Sequence, residues 1–175
     1  MKKIFKELVL RNFLKSFFGI TKDILIWPKG FFKIMPPSGG YGGPVLYLGL
    51  CFLIWGVLKS VTLLNPFFLM VALVSFFFSF LGSAILLFIL RKVFEVPATY
   101  EGVFRITAYS SAVNLLSWIP LIGFLFSLYG LWIRLVGLET VYGVSKIQAL
   151  VAVALSFIVF FIITLPIGGF IFIWA

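Results

Sequence analysis

Thr107, Ser110, Ser111, Asn114 and Ser117 follow one another at i, i+3, i+4, i+7 and i+10, in an otherwise apolar stretch that opens at Arg105. On a helix this spacing puts all five side chains on one face. Hydroxyls and a carboxamide can hold a polar solute or a lipid headgroup, or tie neighbouring helices together. They do not by themselves supply a base or a nucleophile. Lipid cannot satisfy such groups, so the stripe is expected to turn toward other helices or a cavity. Asn114 is its most demanding member, with two donors and an acceptor. Glu101 and Arg105 stand four residues apart, where an i, i+4 pair can form at the inner boundary. Tyr109 lies one turn deeper, its hydroxyl needing a partner in a neighbouring span. Arg134 is the one charge well inside a predicted span. It either snorkels to the inner end or pairs with Glu139, Glu101 or the stripe.

The usual catalytic groups are missing or isolated. The chain has no His, which removes imidazole as base or metal ligand. Its single Cys, Cys51, sits among Leu, Phe and Ile, where a thiolate is unfavourable. Of the five acids, no two are close enough in sequence to suggest a carboxylate dyad, although Glu95, Glu101 and Glu139 can converge at one interface. No phosphate-binding Gly-rich loop and no zinc spacing occurs. The reading is of a non-enzymatic chain without cofactor or metal. No acid lies mid-span either, so a carboxylate relay for protons or sodium is not expected.

The elements that must position these groups are membrane spans. With 63% hydrophobic residues and 23 Phe in 175, no soluble core could hide the apolar surface. Apolar windows cover 44–61, 67–90, 103–138 and 148–174. The third is too long for one crossing, and Pro120 divides it by breaking the helix. The fold class expected is all-α: a polytopic membrane protein with five transmembrane helices, preceded by an N-terminal amphipathic interfacial helix. Each half around Pro120 is short, so a re-entrant hairpin is the alternative to two full spans. With the N-terminus inside, five spans put thirteen of the fourteen basic residues on or near the cytoplasmic side, with Lys59 opposite. The C-terminus then lies outside. The net charge of +9 reports this topology and attraction to anionic lipid; no nucleic-acid-reading pattern accompanies it.

The chain divides into residues 1–40, a basic arm with a Pro/Gly loop, and 41–175, the span domain. In the arm, Leu10, Phe13, Leu14, Phe17, Ile20 and Ile24 form one helix face, and Trp27-Pro28 ends it. Lys15, Lys22, Lys29 and Lys33 are the expected contacts to lipid headgroups. Ser75, Ser79 and Ser83, then Gly123, Ser127 and Gly130, and Ser145, Ala149, Ala152 and Ser156 give small-residue faces for close helix packing, within one chain or between copies.

The run Phe104-Arg105-Ile-Thr-Ala-Tyr109-Ser110-Ser111 and then Leu115-Leu116-Ser117-Trp118-Ile119-Pro120-Leu-Ile-Gly123 resembles the central block of Yip1-domain membrane proteins. Val136-Gly137-Leu138-Glu139 and Val141-Tyr142-Gly143-Val144-Ser145-Lys146 are similar to the block before that family's last span. Tyr41-Gly-Gly-Pro44 is similar to its Tyr-Gly-Pro element. Val113 stands where many prokaryotic members carry Pro, and Tyr142 where His is common. The resemblance implies five spans with a cytosolic N-terminus and an outer or lumenal C-terminus. In eukaryotic members it implies vesicle traffic and small-GTPase partners. The absence of a long polar cytosolic domain points to a prokaryotic plasma-membrane protein. What carries over is a membrane-organising, lipid-interacting or scaffolding role, with anionic lipids, other membrane proteins or further copies as partners. The other class kept open is a small transporter or channel moving a lipid headgroup or small solute along Arg105–Ser117. A polar cavity containing several stripe residues favours that second class, and a dry packed stripe the first.

Overall fold

A computed structural model describes residues 13–174, and the side chains of 16–165. Every regular element among the described residues is helical. In chain order these are α1 (Phe13–Ile26), α2 (Pro28–Ile34), α3 (Gly42–Leu63), α4 (Phe67–Lys92) and α5 (Tyr100–Ser110). A 3₁₀ turn (Ser111–Val113), α6 (Asn114–Ser117), α7 (Gly123–Tyr142) and α8 (Lys146–Trp174) follow.

Local chemistry sets the ends. Leu64 closes α3 in a left-handed conformation, and Pro66 starts the next helix, whose Phe67 N–H donates to Asn65 Oδ1 at 2.9 Å. Thr99 caps α5 by accepting from Gly102 N–H at 3.2 Å, and Glu101 in the first turn complements the helix dipole. Gly143 ends α7 with φ +69°. Ser145 and Gln148 cap α8 reciprocally: each backbone N–H donates to the other's side-chain oxygen, at 2.9 and 3.2 Å.

Among the described residues, Gly42–Leu63, Phe67–Lys92, Gly123–Tyr142 and Lys146–Leu165 are long and apolar enough to cross a membrane. The sequence led to an expectation of five crossings. The remaining candidate, Tyr100–Ser117, does not meet the same test: it is broken by the 3₁₀ turn into pieces of eleven, three and four residues, and Glu101, Arg105 and the polar stripe lower its hydropathy. Its surroundings explain how it can be polar: Gly102 through Val113 are all buried. The segment packs against α1, α3, α4 and α7, so the side chains of 102–113 meet protein rather than lipid, while those of 114–117 are half-buried. Hydropathy detects helices that face lipid and passes over one shielded by others.

The arm also differs from expectation in what it touches. An interfacial helix would turn its apolar face to the bilayer. Here Phe17, Ile20 and Ile24 of α1, with Phe31, Phe32 and Met35 of α2 and its cap, are buried in the same apolar core as the long helices. Thr21 and Tyr47 share a buried hydrogen bond at 2.9 Å, and Tyr129 Oη donates to the Leu25 carbonyl at 2.6 Å. The physical reason lies in α7, where Gly137 leaves room for the Phe32 ring: an added Cβ would lie 3.1 Å from it and 2.7 Å from Ile106. Leu10, and the side chains of Phe13, Leu14 and Lys15, lie outside the described residues.

Candidate functional site: an arginine clamp and a polar cavity

The stripe is built on α5, the 3₁₀ turn and α6, and the structure sends its members to different places. Arg105 goes to a loop. Its Nε donates to Glu101 Oε1 at 3.1 Å, Nη1 to the Pro36 carbonyl at 3.1 Å, and Nη2 to the Gly40 carbonyl at 2.8 Å. The same Glu101 oxygen accepts the Gly40 N–H at 2.7 Å. The pair thus clamps the Pro/Gly loop 36–40 onto α5. This loop needs glycine at its turn: Gly39 has φ +139°, and its added Cβ would approach Arg105 Nη2 to 3.1 Å. Sequence reasoning found Arg105 and Glu101 but not the loop carbonyls, which carry no side-chain signal.

Tyr109 faces another way. Its ring is edge-on to Phe31 at 5.2 Å and tilted against Tyr47 at 5.3 Å, and Tyr47 in turn meets Phe17 at 5.1 Å. These rings weld α1 and α2 to α3 and α5. Tyr47 and Thr21 were not singled out in the sequence, where neither type nor spacing distinguishes them.

Thr107, Ser110, Ser111 and Asn114 do converge, around Arg134. Two adjoining cavities share Ser79, Thr107, Arg134 and Phe157 as walls. The larger, of about 250 Å³, lies between α4 and α8 and is lined there by Ser75, Gly82 and Ser156. The smaller, of about 170 Å³, reaches Ser110, Ser111, Asn114 and Ser127. Ser117 lines neither. Arg134 stands eight residues before the end of α7, about 12 Å at 1.5 Å per residue. Its Nε is fully buried and has no hydrogen-bond partner among the described residues. The same is true of Thr107 Oγ1. Arg134 therefore keeps part of its guanidinium inside the bundle instead of extending it to the helix end. It pairs with neither Glu139 nor Glu101, for the ion pair seen among the described residues is Arg105–Glu101.

Most serines around the cavity spend their protons locally. Ser79 donates to the Ser75 carbonyl at 2.8 Å, Ser83 to Ser79 at 2.7 Å, and Ser156 to Ala152 at 2.7 Å. Ser110 and Ser111 donate to Ile106 and Ala108 at 2.7 and 2.6 Å. Back-bonding of this kind is how a hydroxyl survives in an apolar bundle. Thr107 Oγ1 and Arg134 Nε, by contrast, are buried without a partner among the described residues.

Two further positions close the picture. Val113 packs on Gly130, whose added Cβ would lie 2.6 Å from Val113 Cγ2, so α7 crosses tightly at the 3₁₀ turn. Tyr142 packs on Gly102 and donates from Oη to the Thr99 carbonyl at 3.3 Å. Both positions are filled by packing.

The model of the Yip1 domain matches residues 22–167. The chain belongs to the Yip1 domain family. The match takes in the clamp, both cavities and the aromatic cluster except Phe17. It also begins within α1, consistent with an arm packed into the core. Comparison with curated proteins and with solved structures found no match. Among the described residues no group of three or more His, Cys, Asp or Glu is placed to hold a metal ion.

Proposed function

We propose that this Yip1-domain protein is a non-catalytic, lipid-interacting membrane organiser, with its arm fixed to the bundle as a lipid-reading surface. The observation that carries this is the outward side of the arm. Phe18, Ile26 and Trp27 are exposed while the opposite face is buried, and Lys22, Lys29 and Lys33 are exposed beside them. Exposed aromatics among lysines suit the headgroup level of an anionic leaflet. Each lysine near such a surface is worth about 1 kcal/mol. Replacing Lys22, Lys29 and Lys33 with Gln in the full-length protein should lower the number of anionic lipids retained on extraction, counted by native mass spectrometry from nanodiscs. It should also remove the salt dependence of that retention. Unchanged retention at low and high salt would refute the arm as a lipid reader.

The architecture proposed with it is five crossings, N-terminus in the cytoplasm of a prokaryotic cell and C-terminus outside, with Tyr100–Ser117 as the shielded crossing. Its fifteen α-helical and three 3₁₀ residues extend about 28 Å, close to the ~30 Å of a hydrocarbon core. A reporter fused after Ala175 should then read as outside and one after Lys146 as inside. Both reading inside would mean that the Pro120 region is a re-entrant hairpin.

A further inference from the structure

We propose that the cavity between α4, α5, α7 and α8 binds a phosphate-type anion through Arg134 and Thr107. The proposal rests on the lipid-interacting reading only for the source of that phosphate. A guanidinium keeps its proton in any protein environment, and burying its charge without a partner costs several kcal/mol. Arg134, only half-buried as a whole, lines this cavity and has a buried Nε without a partner among the described residues, and Thr107, 5% exposed and with its Oγ1 likewise unpartnered, lines the same cavity from another helix. Two unpartnered donors on residues lining one cavity, with no carboxylate within ion-pair distance of Arg134 among the described residues, suit an anion, and an oxyanion with several acceptors matches the guanidinium fork.

Size admits this ligand. The cavity of about 250 Å³, adjoined by the one of about 170 Å³ that shares Arg134 and Thr107, has room for a phosphate group and is open on one side. Acyl chains would remain outside, and the walls allow that: Phe157, 49% exposed, belongs both to the cavity and to the outer apolar surface. Phe78 and Phe160, edge-to-face at 5.4 Å, bridge α4 and α8 at the same wall. A lipid lying along that surface would present its phosphodiester sideways to Arg134.

The test uses the full-length protein in detergent, with phosphatidylglycerol and inorganic phosphate as separate probes, read by thermal stabilisation and by native mass spectrometry. Arg134→Gln should weaken binding of the active probe at least about tenfold, and Thr107→Val about threefold to tenfold. Stabilisation by phosphatidylglycerol alone identifies a lipid-borne phosphate, and stabilisation by inorganic phosphate as well identifies a free anion; either supports the site. Equal binding of both probes to wild type and Thr107→Val would overturn it, even if Arg134→Gln fails to fold, and so would binding of neither probe, which would mean a cavity filled only by water. The Lys22, Lys29 and Lys33→Gln variant should keep the cavity ligand. If that variant loses only its peripheral lipids, both readings stand. If it loses nothing, the arm reading fails while the cavity stands, and if it loses the cavity ligand, the assignment to Arg134 fails.

Discussion

Arg105→Met is expected to destabilise the folded bundle by about 2–4 kcal/mol, because one side chain holds three acceptors on two separate segments. Hydrogen bonds to a charged donor contribute about 1.5–3 kcal/mol each, but they are not additive here. The Gly40 carbonyl sits in an exposed loop and regains water when the arginine is removed, whereas Glu101 stays half-buried with its charge uncompensated. Methionine keeps most of the packing, so the loss isolates the polar clamp. Denaturation in detergent, followed by tryptophan fluorescence, measures it. Glu101→Gln is the milder control. Its amide oxygen still accepts from Arg105 and Gly40, and the cost should be about 1 kcal/mol. Limited proteolysis at the 36–40 loop should accelerate in Arg105→Met and change little in Glu101→Gln. A loss below about 0.5 kcal/mol would mean that the loop is held by something other than the clamp.

Gly56→Leu is expected to damage the α3–α4 hairpin by about 3 kcal/mol or more. The two helices touch backbone to backbone at this point. A Cβ on Gly56 would lie 2.7 Å from Ala72 Cβ and 3.2 Å from the Phe68 carbonyl oxygen. Backbone cannot step aside as a flexible side chain can, so the helices must separate. In lipid, dispersion between close surfaces is what holds them together. Gly56→Ala should already cost about 1–3 kcal/mol, and adding Ala72→Gly should restore much of it by exchanging which helix carries the methyl. Failure of the second change to compensate would show that the Phe68 carbonyl, and not Ala72, sets the limit.

The clamp and the hairpin show how far the residues speak for themselves. Glu101 and Arg105 are four apart, and helical spacing alone brings them together; nothing in the spacing says that Arg105 also holds the Pro36 and Gly40 carbonyls, which are more than sixty residues away. Small residues on α4, α7 and α8 were legible as packing faces, since lipid offers no other reason to repeat Ser and Gly at helical intervals. Which face meets which was not legible. Ser75 and Ser79 meet a cavity, and the tightest α3–α4 contact falls on Gly56 and Ala72 instead.

The stripe shows the same division. Burial of Thr107, Ser110 and Ser111 follows from physics before any fold is known, because hydrogen-bonding groups on one face have no place in lipid; Asn114 and Ser117 are half-buried. The stripe's breakup does not follow in this way. The 3₁₀ turn at Ser111–Val113 changes the helical phase, and Ser117 lines neither cavity with the others. The amphipathic pattern of the arm determined that Phe17, Ile20 and Ile24 share a buried face. It could not say whether lipid or protein buries them, since both are apolar; the room beside Gly137 and the ring of Tyr47 decided for protein.

Composition and hydropathy were enough to determine a membrane bundle, because the transfer of apolar side chains depends on residue type and scarcely on arrangement. Tertiary structure alone decided that a polar helix can stand at the centre of that bundle, and that Arg134 and Thr107, twenty-seven residues apart, face one cavity. Directional groups acquire meaning only when their partners' positions are fixed, and those positions depend on contacts between helices distant in the chain.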